Sequence, residues 1–312
     1  MKNDPVELAL AQLDEIPLHT NEGRKQIAKA LGSKSNLVAA KAARIAGDAQ
    51  ESELTPELVA AFDRFLKRGA DLDKGCTALN AVARTLYRLE YSEPELFLRG
   101  MKHVQMEPVW GGSVDTAAEL RAVCAMGLAC TIWPDKLREL VNLLVDREWQ
   151  ARAGAARALG AIGSEPALLL LRLKALSGDP EPDVLADCFN GLLVSEDTEQ
   201  VRFVASFAEA NDGGMREAAL LSLGASRRAD AVEWLSQRFA RVADIEIRQC
   251  ILLSLATSRT EPAIAFLLGL IRDGSGRSSE LALAAIEINR ADRKIQEEVD
   301  QALRARAARE NP

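Results

Sequence analysis

Four windows of this chain align without a gap: LRAVCAMGLACTIWPDKLREL (120–140), ARAGAARALGAIGSEPALLLL (151–171), MREAALLSLGASRRADAVEWL (215–235) and IRQCILLSLATSRTEPAIAFL (247–267). Two weaker copies, VLADCFNGLLVSEDTEQVRFV (184–204) and SSELALAAIEINRADRKIQEE (278–298), fall between and after them, and the starts lie 31 to 33 residues apart. A fixed period of this length means that the chain repeats one supersecondary unit. The ninth position reads Leu128, Leu159, Leu192, Leu223, Leu255 and Ile286, and the eighteenth reads Leu137, Leu168, Val201, Val232, Ile264 and Ile295. The fifth position, Cys124, Ala155, Cys188, Ala219, Ile251 and Ala282, is small or aliphatic throughout. It stands four residues before the ninth, so both lie on one helix face, and that face must be buried.

Between the two helical stretches of each window comes a break marked by Gly163, Pro134, Pro166 or Pro262. Proline is tolerated in a first helical turn, where its missing N–H costs nothing, so each of these marks a helix start. The tenth position, Gly160 or Gly224 with Ala129 and Ala256 elsewhere, lets helices approach closely. A pair of helices cannot bury both apolar faces alone, so neighbouring hairpins must stack. Aromatic residues make up only 4% of the chain, which favours helices packed through small side chains over a sheet of β-branched and aromatic residues. With 48% apolar and 27% charged residues, the chain is a globular one.

The segment DREWQARAGAARALGAIGSEPALLLLRL (146–173) resembles a HEAT repeat, close to the short type found in phycobilisome-lyase-like proteins. The likeness is carried by Asp146, Trp149, Arg152, Ala155, Ala156, Ala158, Leu159, Gly160, Gly163, Ala167 and Leu171. The copies starting at 120, 215 and 247 share it, and those at 184 and 278 follow it loosely. The resemblance implies an all-α fold, a right-handed α-α superhelix of about seven to eight hairpins in an armadillo-like solenoid, with second helices lining a concave side used mostly for binding. It also implies an Asp–Arg ladder between units. Asp115 with Arg121 and Asp146 with Arg152 keep the six-residue spacing, whereas Arg216 and Arg248 have acids only at other distances, Asp212 and Asp244, so the ladder is expected to be incomplete after residue 180.

One solenoid is therefore expected over 1–312: an N-terminal cap (1–32), longer irregular repeats (33–112), regular repeats (113–290) and a C-terminal capping helix (291–312). The irregular part contains NLVAAKAARIAGD (36–48) and ALNAVARTLYRLE (78–90), with Ile45, Leu86 and Leu128 spaced 41 and 42 residues apart. LTPELVAAFDRFLKRG (54–69) and SEPELFLRGMKHV (92–104) open with residues suited to a helix start and read as first helices of their hairpins. QMEPVWGGSVDT (105–116) reads as the longest loop; Trp110 either caps a ligand or peptide beside the groove or folds back onto the core. DPVELALAQLDEI (4–16) and DRKIQEEVDQALRARAARE (292–310) read as capping helices that close the stack.

The formal charge of -7 argues against a general nucleic-acid binder. MKNDPVELAL lacks the features of a secretory signal, and AIAFLLGLI (263–271) is too short to span a bilayer, so a cytoplasmic location is expected. The five cysteines form no CxxC pair, and Cys124 and Cys188 read as small packing residues. His19 and His103 are the only histidines and fall in different repeats, too few for the His-rich di-iron centre of HEAT-repeat hydroxylases. No phosphate loop, GxSxG elbow or dinucleotide fingerprint occurs; RDGSGRSS (272–279) reads as an inter-repeat turn, and Asp71, Asp73, Glu297 and Glu298 as solvated carboxylates. Trp110, Trp133, Trp149 and Trp234 are scattered, unlike the aromatic set of a HEAT-like DNA glycosylase. No cofactor, metal or catalytic residue is expected.

The seventh column reads Arg84, Met126, Arg157, Asn190, Leu221, Leu253 and Ala284, on the side expected to face the groove. With Arg44 and Arg88 it forms a candidate basic stripe, Arg44, Arg84, Arg88, Arg157 and Asn190, for an acidic peptide or helix. The competing reading is of ordinary solvated helix positions with neighbouring partners. The expected function is a non-catalytic protein- or peptide-binding scaffold, with nucleic acid and membrane not expected as partners; the alternative is a HEAT-like enzyme or enzyme subunit acting on nucleic acid or a bound prosthetic group.

Overall fold

The computed structural model describes residues 5–310, so Asp4 of the first capping helix and the last two residues of the C-terminal cap lie outside the described residues. The chain is an all-α helical repeat protein, with eighteen α-helices and one small β-hairpin among the described residues. It divides into two compact units between Leu170 and Leu171.

The first unit holds α1 (Pro5–Asp14), α2 (Asn21–Leu31), α3 (Asn36–Asp48), α4 (Thr55–Arg68), α5 (Thr77–Arg88), α6 (Pro94–Met101), α7 (Ala118–Ala129), α8 (Lys136–Leu143) and α9 (Trp149–Ile162). The N-terminal cap thus contains two helices, and α4 and α6 sit where first helices were expected. Helix α10 (Glu165–Ser177) runs through the division. The second unit holds α11 (Pro182–Leu193), α12 (Thr198–Phe207), α13 (Gly213–Ala225), α14 (Ala229–Arg241), α15 (Ile245–Ser258), α16 (Glu261–Asp273), α17 (Gly276–Ile286) and α18 (Arg293–Glu310).

Helix starts follow local chemistry. The side chains of Thr20, Ser35, Asp212, Asp244 and Ser275 accept backbone N–H groups of the first turns they precede, which satisfies donors that have no intrahelical partner. Proline occupies the first turn of α4, α6, α11 and α16. Pro166 lies in the first turn of α10, but Pro134 precedes α8 by two residues. Gly163 closes α9 in the left-handed region with φ 62°, a conformation that a side chain would strain.

The odd-numbered helices form the interior row of each unit. In the first, α3 packs on α5, α5 on α7 and α7 on α9; in the second, α11 packs on α13, α13 on α15 and α15 on α17. The fifth and ninth columns lie in this row, and all twelve residues are buried. Small residues set the helix separation: a Cβ on Gly154 would overlap the Ala122 backbone and one on Gly224 the Ser254 carbonyl. The eighteenth column is less uniform, because Leu137 and Leu168 are half-buried and the deepest contacts of α8 and α10 come from Leu140 and Leu171.

Two expectations need correction. The segment 105–116 is no loop: β1 (Met106–Val109) pairs antiparallel with β2 (Gly112–Asp115), and Gly111 makes the tight reversal with φ 90°. Asp73 is not a solvated carboxylate. It is fully buried and accepts the backbone N–H groups of Ala78 and Leu79 at 2.9 Å each, because Cys76, with φ 48°, turns the chain back over it before α5 begins.

Candidate functional site

In the first unit the solvent side of the interior row carries Arg44 on α3, Arg84 and Arg88 on α5 and Arg157 on α9, all exposed, with half-buried Met126 on α7. Small and aliphatic residues occupy the buried sides of these helices, so the longer arginine side chains lie on the solvent side. Arg84 Nη2 meets Glu119 Oε1 of α7 at 2.6 Å, and Arg88 Nη1 meets Asp48 Oδ1 of α3 at 2.6 Å. The stripe therefore alternates in sign. Exposed pairs of this kind contribute about 0–1 kcal/mol, a cost that an incoming carboxylate can offset by replacing the pair.

The corresponding positions of the second unit differ in chemistry. Asn190 on α11 is exposed, while Leu221 on α13 and Leu253 on α15 are half-buried. Between α13 and α15 lies an open cavity of about 350 Å³ whose lining includes Leu220, Ile247, Leu253 and Cys250 with Arg216, Glu217 and Glu246. Burial pushes the Cys250 thiol up to about 11, which makes it a poor nucleophile at neutral pH. A second cavity of about 680 Å³ lies in the first unit among α1, α2 and α3, with apolar Leu13, Ile16 and Val38 and polar Gln12, Glu15 and Lys29 in its lining.

The hairpin is held at its base by a compact polar network. Glu107 accepts hydrogen bonds from Thr116 Oγ1 and Gln105 Nε2 at 2.7 Å each and from the Gly75 N–H at 2.7 Å. The hydroxyl bond foremost, then the two N–H bonds, hold its carboxyl below the usual range. Gln105 also donates to the Asp73 carbonyl, so the hairpin is anchored to the turn before α5. Beside it, burial opposes the charge on Asp115, but the N–H groups of Gln105 and Ala117 and the Arg121 guanidinium outweigh it and lower its pKa. Trp110 stands at the hairpin tip, 101% exposed. It does not fold back onto the core.

The ladder implied by the repeat is present around Arg121, which meets Asp115 at 2.7 Å and Asp146 at 2.9 Å. Arg152 donates to the backbone carbonyls of Asp146 and Arg147. In the second unit Asp212 and Asp244 cap helices, while Arg216 donates to the Ala210 carbonyl and Arg248 to Ser278 Oγ.

His19 lies 3.3 Å from Glu51, which Arg24 also contacts at 2.6 Å, and His103 neighbours Gln105; the two histidines belong to separate structural networks. Cys124 and Cys188 are fully buried packing residues. Among the described residues no cluster of His, Cys, Asp and Glu is arranged to hold a metal ion, and no helix is long and apolar enough to cross a membrane. Sequence reasoning missed the polar base of the hairpin, whose members Asp73, Gln105, Glu107 and Thr116 are spread over 44 residues without a motif.

No protein-family model matches this sequence, and no curated protein matches it. Among solved structures, the chain is similar to the complex of CpcE and CpcF of phycocyanin lyase from Nostoc sp., at 14% identity over 94% of this chain and 95% of that one, with a TM-score of 0.38. It is similar to Legionella pneumophila aminopeptidase A at 14% identity, over 90% of this chain and 36% of that one, with a TM-score of 0.49. It is also similar to human deoxyhypusine hydroxylase at 15% identity, over 93% and 92% of the two chains, with a TM-score of 0.28.

Proposed function

We propose that this chain is a non-catalytic scaffold that binds a protein or peptide partner along the solvent side of its interior helices. The observation that carries the reading is the set of exposed arginines, Arg44, Arg84, Arg88 and Arg157, displayed on three helices of one unit, with Arg84 meeting Glu119 and Arg88 meeting Asp48. Guanidinium groups on a rigid row suit an acidic peptide or helix, because each can form two parallel hydrogen bonds to a carboxylate. The helices that present them are fixed by buried Ala and Gly contacts, so little ordering cost falls on the protein side of the complex.

The test is capture from native cell extract with the wild-type chain and with Arg84→Glu/Arg157→Glu, each with and without nuclease. A protein enriched by the wild type, lost with the double variant and insensitive to nuclease is the expected result. Equal capture by both forms would remove the arginines from the partner site, and enrichment that nuclease abolishes would move the reading to nucleic acid.

A further inference from the structure

The β-hairpin belongs to no repeat, and its apolar side chains are turned outward. Met106, Val109, Trp110 and Val114 are 55%, 51%, 101% and 42% exposed. The register places Val109 and Val114 on one face of the two-stranded sheet and Met106 with Pro108 on the other, with Trp110 at the turn. Both faces of the projecting tip therefore carry exposed apolar side chains, beside Ser113 on the Met106 face and Glu107 on the Val109 face. A tip with apolar side chains on both faces suits a medium that surrounds it. Pro108 also leaves β1 with one backbone donor fewer, so the outer edge is a poor template for a further strand.

The turns beneath the hairpin form one continuous edge of the first unit, joined by hydrogen bonds. Arg64 of α4 donates to the Leu31 and Ser33 carbonyls, Asn36 to Asp73 and the Lys74 carbonyl, Gly75 to Glu107, and Arg121 bridges Asp115 and Asp146. Exposed on these turns, or in the last turn of α4 leading into them, are Lys34, Lys67, Arg68, Lys74, Lys102 and Arg147, against one exposed acid on the same turns, Asp71. Of the other carboxylates of the edge, Glu148 is half-buried and the rest are engaged inward: Asp73 as a buried cap, Glu107 and Asp115 in the base network, Asp146 with Arg121. A chain of net charge -7 thus gathers cations around this apolar hairpin.

From this pairing of a tip apolar on both faces with a cationic edge, we propose that the hairpin edge is a peripheral docking site for an anionic lipid surface. The hairpin strands rise about 13 Å, and the backbone groups along their free edges have no partner in hydrocarbon. The depth is therefore limited to the headgroup and upper acyl region, where tryptophan partitions best. Lysines and arginines around the base then lie at the plane of the headgroups. This is contact with a membrane surface, distinct from a span.

The experiment is co-sedimentation of the purified full chain with vesicles of phosphatidylcholine containing about one-third phosphatidylserine, a composition chosen for its negative surface potential, and with pure phosphatidylcholine vesicles. The wild type is expected to pellet with the anionic vesicles, with a blue shift of tryptophan emission, and not with the neutral ones. Trp110→Ser is expected to weaken binding at least about tenfold and to abolish the shift, and Lys74→Glu/Lys102→Glu to weaken it by a similar factor that added salt reduces. Trp110 is exposed, so circular dichroism of Trp110→Ser should match the wild type. Absence of binding to anionic vesicles would overturn the proposal. So would equal binding by wild type and Trp110→Ser, or binding to a short single-stranded oligonucleotide, lost in both variants, without any binding to vesicles.

Discussion

Arg121, buried on α7, holds Asp115 of its own repeat at 2.7 Å and Asp146 at the start of the next at 2.9 Å. Removing the guanidinium leaves two inward-facing carboxylates without their cation, and breaking a buried pair in this way costs about 3–5 kcal/mol. Arg121→Met is expected to lower stability by about 3 kcal/mol in denaturant unfolding. Arg121→Lys should recover only part of it, because an ammonium cannot present the same fork to both acids.

The same contacts set the acid limit of stability. Asp115, Glu107 and Glu51 all have carboxyl pKa values lowered in the fold, Glu51 mainly through its hydrogen bond from Arg24. A depressed folded-state value means that the stabilisation is fully present above the ordinary carboxylate range and is lost as pH falls through the folded-state values. Unfolding free energy should therefore be flat from neutral pH down to the ordinary range and fall below it. In Arg121→Met the fall should be shallower, because Asp115 keeps its two N–H donors but loses its cation, which brings its folded-state value closer to the unfolded one.

Asp73 carries the junction between the hairpin and α5. Its carboxylate accepts two N–H groups at the start of α5, its carbonyl accepts from Gln105, and Asn36 reaches it from the start of α3. Asp73→Ala is expected to cost about 2 kcal/mol, the upper end for loss of a helix cap. Amide exchange should rise in the first turn of α5 and in the hairpin while α9 stays protected, a pattern that a solvated Asp73 would not give.

The repeat was legible because its determinants are local. Cys124 and Leu128, or Ala219 and Leu223, are four residues apart on one helix, and the buried face follows from that spacing alone. Asp73 was not legible, since DLDKG reads as a polar turn and burial depends on Cys76 adopting a left-handed conformation and on Gln105, 32 residues away, covering the site. The hairpin did leave a signal in VWGGSV, a Gly pair between Val109 and Val114, but four-residue strands with Pro108 inside one are too short for alternation to register. The arginine stripe was placed from the seventh column with Arg44 and Arg88 added, and such spacing cannot reveal that Glu119 and Asp48 reach across from neighbouring helices.

Close helix approach gives a further test. A Cβ at Gly154 would meet the Ala122 backbone, which cannot move aside as a flexible side chain would. Gly154→Ala should destabilise by about 1–3 kcal/mol, despite alanine's better helix propensity by about 1 kcal/mol. Gly269, on α16 with nothing near its would-be Cβ, supplies the control: Gly269→Ala should raise the unfolding midpoint, as propensity alone dictates.

The cysteines report on the integrity of the interior row. Cys124 and Cys188 are fully buried, burial raises both thiols, and Cys188 is pushed up to about 12; Cys76 is also buried and pushed up to about 12, whereas Cys130 is exposed at the end of α7. Since the thiolate is the reactive species, a maleimide at neutral pH should label Cys130 first and Cys250 slowly, leaving the other three unmodified until denaturant is added. Mass spectrometry of the labelled peptides distinguishes the sites. Rapid native-state labelling of Cys124, which sits against the α6 backbone at Gly100, would contradict the packing of α6 on α7 from which the hairpin edge is built.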